Sequence, residues 1–297
     1  MADQPAGPGG ARAARPPSSG RAWLGLLPFF LFTLAFMILP AGGLLVGSFQ
    51  DGHGSFTLAN LAHLFRPDIL KCYLVTIQVS AVTAVAGGVF GLLLAFSVTL
   101  GGLPKAMRSG LLTFSGVASN FAGVPLAFAF IATMGRVGIV TVVLKTVFGI
   151  NLYRAGFNLY SFWGLCLTYL YFQLPLMVLI ITPALDGMKK EWREASQSLG
   201  ASGTQYWIHI ALPILAPPLL SAMILLFGNA FGAYATAYAL TGGMLNLVPI
   251  LIGAQIQGDV LHDPNLGYAL AFGMVVVMTV CILAYTALQK RASRWLK

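Results

Sequence analysis

Charge is what this sequence has least of. Only 8% of its 297 residues are Asp, Glu, Lys or Arg, against roughly 25% in a soluble domain, while 58% are hydrophobic. That shortage excludes an ordinary water-soluble fold. Acids are the scarcer sign, eight against seventeen bases. Cysteine is also sparse: Cys72, Cys166 and Cys281 are scattered, odd in number and without a CxxC pair, which excludes a disulfide framework and argues against a zinc site. No phosphate-binding GxxxxGK[ST] occurs, so nothing in the chain marks it as hydrolysing nucleotide itself.

What the sequence has instead is long runs without any charge. Six such windows can be read directly: Ala22 to Gln50, Cys72 to Pro104, Ser109 to Gly135, Ala155 to Leu185, Ile210 to Gly258 and Pro264 to Gln289. A helix needs about 20 apolar residues to cross a bilayer, and only helices or closed barrels satisfy their backbone in lipid. These runs are too long for barrel strands. The fifth is too long for one helix and reads as a helix from about Ile210 to Ala233, followed by an outer segment that dips back toward the membrane. The fold class is therefore an all-α membrane protein with about six transmembrane helices; seven is the competing count.

Lysine and arginine set the orientation, because short cytoplasmic loops are enriched in them. With the N-terminus in the cytosol, twelve of the seventeen bases fall inside and five outside, and the acids divide evenly. Both termini are expected in the cytosol. The same bias accounts for the net charge of +9 without any nucleic acid as partner.

Along the chain, residues 1–21 are mostly Ala, Gly, Pro, Arg and Ser and read as a disordered cytosolic tail. Residues 22–71 hold a first permanent span and an outer loop. In that loop Leu58, Leu61, Leu64 and Phe65 share one face of an expected interfacial helix over 56–65. Residues 72–288 are a core of five spans, and 289–297 a basic cytosolic tail. The second span is rich in small residues at Gly87, Gly88 and Gly91, which let helices approach closely. Between Gly135 and Tyr160 the pattern is amphipathic, with Arg136 and Lys145 among valines, and predicts an outer helix lying at the interface. The fourth span is expected to end at Pro183.

One polar island interrupts the lipid pattern on the inner side. It runs Glu194-Ala195-Ser196-Gln197-Ser198-Leu199-Gly200 and is followed after nine residues by Ile210-Ala211-Leu212-Pro213. Asp186 is a plausible N-cap for a helix here. Met188, Trp192, Ala195 and Leu199 recur at helical spacing and predict a face packed on the membrane domain. Glu191, Glu194 and Ser198 then turn toward a partner. Gly200 is expected to end the helix, and a second short helix is expected near Gly203 to His209.

This spacing of Glu-Ala, Gly and Ile-x-Leu-Pro resembles the EAA loop of permease subunits of ABC importers, with Ser196 where the family usually has a second alanine. The resemblance extends from about Cys72 to Tyr285. It implies a type I importer permease of the MetI-like fold, in the bacterial inner membrane. The family pairs two permeases over an ABC ATPase dimer and receives solute from an external binding protein; the second permease is expected to be a different, homologous chain. Segment 186–213 would be the coupling loop, with Glu191, Glu194, Ala195, Ser196, Ser198, Leu199, Gly200, Ile210, Leu212 and Pro213 its contact residues. The chain most resembles the polyamine (spermidine or putrescine) group, whose near relatives serve ferric iron, thiamine and aminoethylphosphonate. No cofactor and no catalysis by this chain are implied.

Polar residues inside spans are the candidates for a solute pathway, since polar groups in lipid tend to face a bundle interior. They are Ser119, Asn120, Thr133, Gln173, Asn229, Tyr234 and Tyr238, with Asn120 and Asn229 foremost; a helix-to-helix hydrogen bond is the plainer reading of each. Asp259, His262 and Asp263 cluster on the outside, but a solvated loop accounts for them better than a metal site. Trp23, Trp163 and Trp295 read as interfacial anchors. An ion-coupled secondary transporter is the alternative function. It usually needs an acid or histidine within a span, and all eight acids lie outside the six windows. An integral membrane enzyme would need a cluster of catalytic groups, which is not found.

Overall fold

The computed structural model of the chain describes residues 19–257 and 262–293. Most of the N-terminal tail, Asp259 and Trp295 lie outside the described residues, as does the side chain of Trp23. The described residues are almost wholly helical, with a single isolated β-bridge between Gln50 and Phe56.

The first unit is one continuous helical run: α1 (Ser19–Thr33), a π-helical segment (Leu34–Ile38) and α2 (Leu39–Ser48). Its apolar stretch Gly25–Ser48 is 24 residues long, enough to cross a bilayer. The π segment has a local cause. Pro40 has no N–H to give to the carbonyl four residues back, which lies inside Leu34–Ile38, and a widened turn takes up the mismatch. The same pairing recurs at Trp207–Ala211, where the residue four before Pro213 lies within the widened turn.

The second unit contains the remaining helices. They are α3 (Ala59–His63), α4 (Pro67–Leu100), α5 (Lys105–Asn120), α6 (Gly123–Met134), α7 (Ile139–Val147) and α8 (Phe162–Asp186). After these come α9 (Lys190–Ser198), α10 (Gly203–Tyr206), α11 (Leu212–Phe231), α12 (Ala235–Thr241), α13 (Val248–Gln257) and α14 (Pro264–Ser293). The expected interfacial helix over 56–65 shrinks to α3. Leu64 packs on a buried cluster, but Leu58 and Phe65 are exposed. Asn60 is buried instead, its side-chain amide donating to the carbonyl of Gln50 at 2.7 Å. The helix turns on a hydrogen bond that the apolar spacing did not encode.

α4 is the spine. At 34 residues it is about 51 Å long, and it packs along both α8 and α11. Its glycines decide how closely. A Cβ built on Gly91 would lie 2.5 Å from the Cβ of Met177 and 3.0 Å from the carbonyl oxygen of Leu174. One on Gly87 would lie 2.9 Å from the Cβ of Gln173. The polar residues of the spine are satisfied locally: Thr76, Ser80 and Thr83 donate to carbonyls four residues back. One buried core joins Val79 to Leu126, Tyr169 and Phe172, and a second joins Ala84 and Ala95 to Met177, Ile181 and Leu226.

Two spans are broken. The window Ser109 to Gly135 is not one helix but α5 and α6, separated at Phe121 and Ala122. Composition alone groups Gly123–Val147 as one apolar stretch, yet the chain turns at 135–138 inside it. Packing decides the matter: α5 lies along α8, and its partners run from Asp186 for Arg108 to Tyr171 for Phe121. Thus α5 and α6 together make the third crossing. α7, nine residues long and about 13 Å, is too short to span and fits the expected interfacial helix. The fourth span continues past Pro183 to Asp186. The fifth is helical from Gly203 to Phe231, starting earlier than expected, and breaks at 232–234 before α12. Among the described residues six stretches, Gly123–Val147 included, are long and apolar enough to cross a membrane by length and composition.

The glycine contacts make a prediction. Gly91→Val must push α4 off α8, because a backbone carbonyl cannot rotate aside, and overpacking costs about 1–3 kcal/mol. Gly116→Ala, with nothing within 4 Å of its Cβ, is the control. Thermal unfolding in detergent should fall by several degrees for the first and stay near wild type for the second.

Candidate functional site: the α9 segment and the broken spans

α9 begins after a three-residue link, Gly187-Met188-Lys189. Its N-cap is Lys189, without a side-chain cap. The expected N-cap, Asp186, belongs to the end of α8 and faces elsewhere: one guanidinium nitrogen of Arg108 lies 2.7 and 2.6 Å from its two carboxylate oxygens. A partner 78 positions away in the chain claims the carboxylate, so the cap is lost.

The helix ends as the sequence indicated. Gly200 has φ +82°, a conformation glycine adopts without Cβ strain. The amide of Gly200 bonds the carbonyl of Gln197 and that of Ala201 the carbonyl of Ser196, the paired bonds of a glycine-terminated helix. α10 then starts at a capping box in which Ser202 and Gln205 bond each other's backbone. It is anchored by buried Tyr206 and by Trp207, whose ring stands edge-on to Phe96 at 5.1 Å. These aromatics carry no polar signature and were missed in the sequence.

The orientation of α9 differs from expectation. Met188 and Trp192 are partly buried, as the spacing predicted. Ala195 and Leu199 are not: Leu199 is 88% exposed. The inward residue is Ser196, 5% exposed, its hydroxyl donating to the carbonyl of Arg193 at 2.8 Å. Glu191, Ala195, Ser198 and Leu199 therefore share one exposed face at helical spacing. Glu194 is exposed beside Lys189, Lys190 and Arg193 on a cavity of about 590 Å³ that also touches Phe96 and Trp207. Neither Glu191 nor Glu194 makes an ion pair among the described residues. Of the second half of the motif, Ile210 and Pro213 are half-buried and Leu212 is exposed. Small residues and a glycine turn present an unpaired, partly apolar ridge, which is suited to docking and holds no catalytic group.

The candidates within spans separate into two sets. Gln173 is fully buried and donates to the hydroxyl of Thr83 at 2.9 Å, a helix-to-helix bond. Ser119, Asn120 and Thr133 bond carbonyls of their own helices. Asn229, Tyr234 and Tyr238 are the outward set. Asn229 is exposed with no hydrogen-bond partner among the described residues, and the two tyrosine rings stack at 5.5 Å. The two chain breaks meet here. The amide of Gly123, which opens α6 at φ +74°, donates to the hydroxyl of Thr236 at 2.7 Å. The hydroxyl of Tyr169 donates to the carbonyl of Ala233 at 2.8 Å. Backbone groups freed by the breaks are thus met by side chains, as irregular backbone at membrane depth requires.

His262 is exposed, while Asp263 caps α14, its carboxylate accepting from the amide of Leu266 at 3.1 Å. No group of metal-ligating side chains occurs among the described residues. Trp163 is exposed at the start of α8, as an interfacial anchor would be.

This architecture, an all-helical membrane domain with a glycine-capped polar helix between two spans, has known counterparts. Residues 87–297 match the binding-protein-dependent transport system inner membrane component family, and the chain belongs to that family: it is a permease subunit of an ABC importer, not itself an enzyme. A probable sulfate transport system permease of Nephroselmis olivacea is 27% identical over 80% of this chain and 78% of its own length. The sulfate transport system permease of Salmonella typhimurium is 23% identical over 89% and 91%. A spermidine/putrescine transport system permease of Escherichia coli is 33% identical, over 42% and 44%. In fold the chain is similar to a bacterial ABC transporter involved in import of the acidic polysaccharide alginate, with TM-score 0.71 and 18% identity over 92% of this chain and 96% of that one. Polyamine permeases are thus one of several groups of relatives.

The joint between α6 and α12 gives a second prediction. Thr236→Val removes the acceptor for the Gly123 amide and orphans a donor inside the membrane, a loss of about 1–3 kcal/mol. Thr236→Ser keeps the hydroxyl. Thermal stability of the purified chain should fall for valine and be preserved for serine.

Proposed function

We propose that this chain forms half of a solute pathway in the inner membrane, with both termini in the cytosol, and is driven through α9 by a separate ABC ATPase dimer. The observation that carries the reading is the exposed face of α9: Glu191, Ala195, Ser198 and Leu199, closed by Gly200. Leu199, the C-cap of this nine-residue helix, is 88% exposed, and with exposed Ala195 beside it forms an apolar spot on a polar helix that a partner can cover. Glu194 and Ser196 flank the face, and Ile210, Leu212 and Pro213 hold the return of the chain. ATP-driven closure of the ATPases would move α9 and rock the permease between two packings. Asn229, Tyr234 and Tyr238, with Ser119 and Asn120 across the joint, line the pathway against a second, homologous permease. An external binding protein delivers the solute.

For that solute we favour a small oxyanion of the sulfate class over the polyamine expected from the sequence. The sulfate permeases match over most of the chain. The acids on its long spanning helices, Asp68 and Asp186, sit at helix ends and are each engaged by an arginine, so no carboxylate is left there to accompany a polycation. The polyamine reading is supported by the spermidine/putrescine permease that matches 42% of the chain and by the stacked faces of Tyr234 and Tyr238, which suit a cation.

Two measurements test the proposal. Detergent capture of the companion ATPase should succeed with wild type and fail with Glu194→Lys and Gly200→Arg, provided both still fold; equal capture by the variants would remove the docking reading. Uptake of labelled sulfate, competed by excess unlabelled sulfate and not by spermidine, is expected in cells carrying the complete transporter. The reverse pattern restores the polyamine reading.

A further inference from the structure

We propose that the Arg108–Asp186 ion pair is the joint through which movement of α9 reaches the third span, which makes Arg108 a positioning residue for transport. The inference rests on the docking reading of α9 and goes beyond it, because neither residue belongs to the docking face or to the pathway.

Position is the first argument. Asp186 is the last residue of α8 and lies three residues before α9, so a displacement of α9 reaches it through a very short link. Arg108 lies in the first turn of α5. The described residues hold only one other ion pair, Arg66–Asp68, which is local; Arg108–Asp186 alone ties distant elements.

Packing is the second. The start of α5 is otherwise exposed: Lys105, Ala106, Met107, Ser109, Gly110 and Leu111 face outward. Beyond Arg108, the inward face of α5 runs through Leu112, Ser115 and Ala118. The ion pair is therefore the outermost tie of α5 at the α9 end. From Arg108 to its end α5 runs on without a proline, a rod of about 20 Å. It ends at Asn120, beside the break whose Gly123 amide is bound to Thr236. A shift at Asp186 is thus delivered to the α6–α12 joint and to Tyr234 and Tyr238.

Geometry is the third. The contact is end-on, through one nitrogen, and Nε of Arg108 is buried without a partner. A fork using Nε as well would be the stronger arrangement for an arginine and a carboxylate. The resting contact is therefore not the tightest one available, and sliding of α8 against α5 can exchange one for the other. Half-exposed ion pairs add little to resting stability, so the effect of breaking this one belongs in transmission rather than folding.

The test uses the assembled transporter in lipid nanodiscs, with the three native cysteines replaced by serine and Asn120→Cys as reporter. Three quantities are read: capture of the ATPase, ATP hydrolysis, and the ATP-dependent change in alkylation rate at position 120. Arg108→Gln and Asp186→Asn should each cut that change about fivefold or more, the scale of a direct pairwise coupling, while capture and hydrolysis persist. The exchange Arg108→Asp with Asp186→Arg should restore at least half of it. An unchanged response in the single variants, or an exchange no better than they are, overturns the proposal. So does loss of ATPase capture in the single variants, which would make the pair a scaffold for α9. If a single variant does not assemble, Arg108→Lys and the exchange decide by the same criterion. Failure of the wild type to capture the ATPase is a different result: it removes the docking reading, and this proposal with it.

Discussion

The close contact between α4 and α8 is the constraint on which the rest depends. In lipid no hydrophobic force drives helices together, so van der Waals contact and interhelical hydrogen bonds must do it. Gly87 and Gly91 remove the side chains that would hold α8 away, and Gln173 bonds Thr83 across the gap. Once α8 is seated, its two ends position everything functional. One end delivers Asp186 to Arg108 and starts the link to α9. The N-terminal half delivers Tyr169 to the broken backbone at Ala233.

The two broken crossings follow a common logic. A break frees amides and carbonyls that lipid cannot satisfy. Thr236 and Tyr169 take up one each, and the breaks are stitched to one another and to α8. Polar side chains that need no such duty, above all Asn229 and the Tyr234–Tyr238 pair, are left facing outward. An amide exposed within a span is costly in hydrocarbon. Its exposure in the single chain is what a permease built to face a second permease would show.

Much of this was legible in the sequence. Charge-free windows located five of the six apolar stretches, and overlapped the third only in part, because lipid tolerates few charges. The C-terminal cap at Gly200 and the short helix after it were legible because a glycine turn and a Ser-x-x-Gln box act within five residues. Three features were not. Asp186 looked like an N-cap because its competing partner, Arg108, is remote in sequence. The break at Phe121 and Ala122 lies in an unbroken apolar run, since the groups that stabilise it, Thr236 and its neighbours, come from another helix. Most instructive is α9. The spacing of Met188, Trp192, Ala195 and Leu199 predicted one face packed on the membrane domain, and it held only for the first two, because periodicity does not say whether a face enters a core. Met188 and Trp192 meet this chain, while Ala195 and Leu199 are turned away from it and Ser196 goes inward.

The central claim is that the exposed face of α9 is buried by an ATPase. Site-directed cross-linking tests it most directly. Single cysteines at Ala195, Leu199 and the buried control Ser196, in a background without the native cysteines, would be treated with a short bifunctional thiol reagent in membranes containing the companion ATPase. The account predicts an adduct with the ATPase from positions 195 and 199 and none from 196. Adducts from 196 alone, or from none of the three while the ATPase remains membrane-bound, would contradict it.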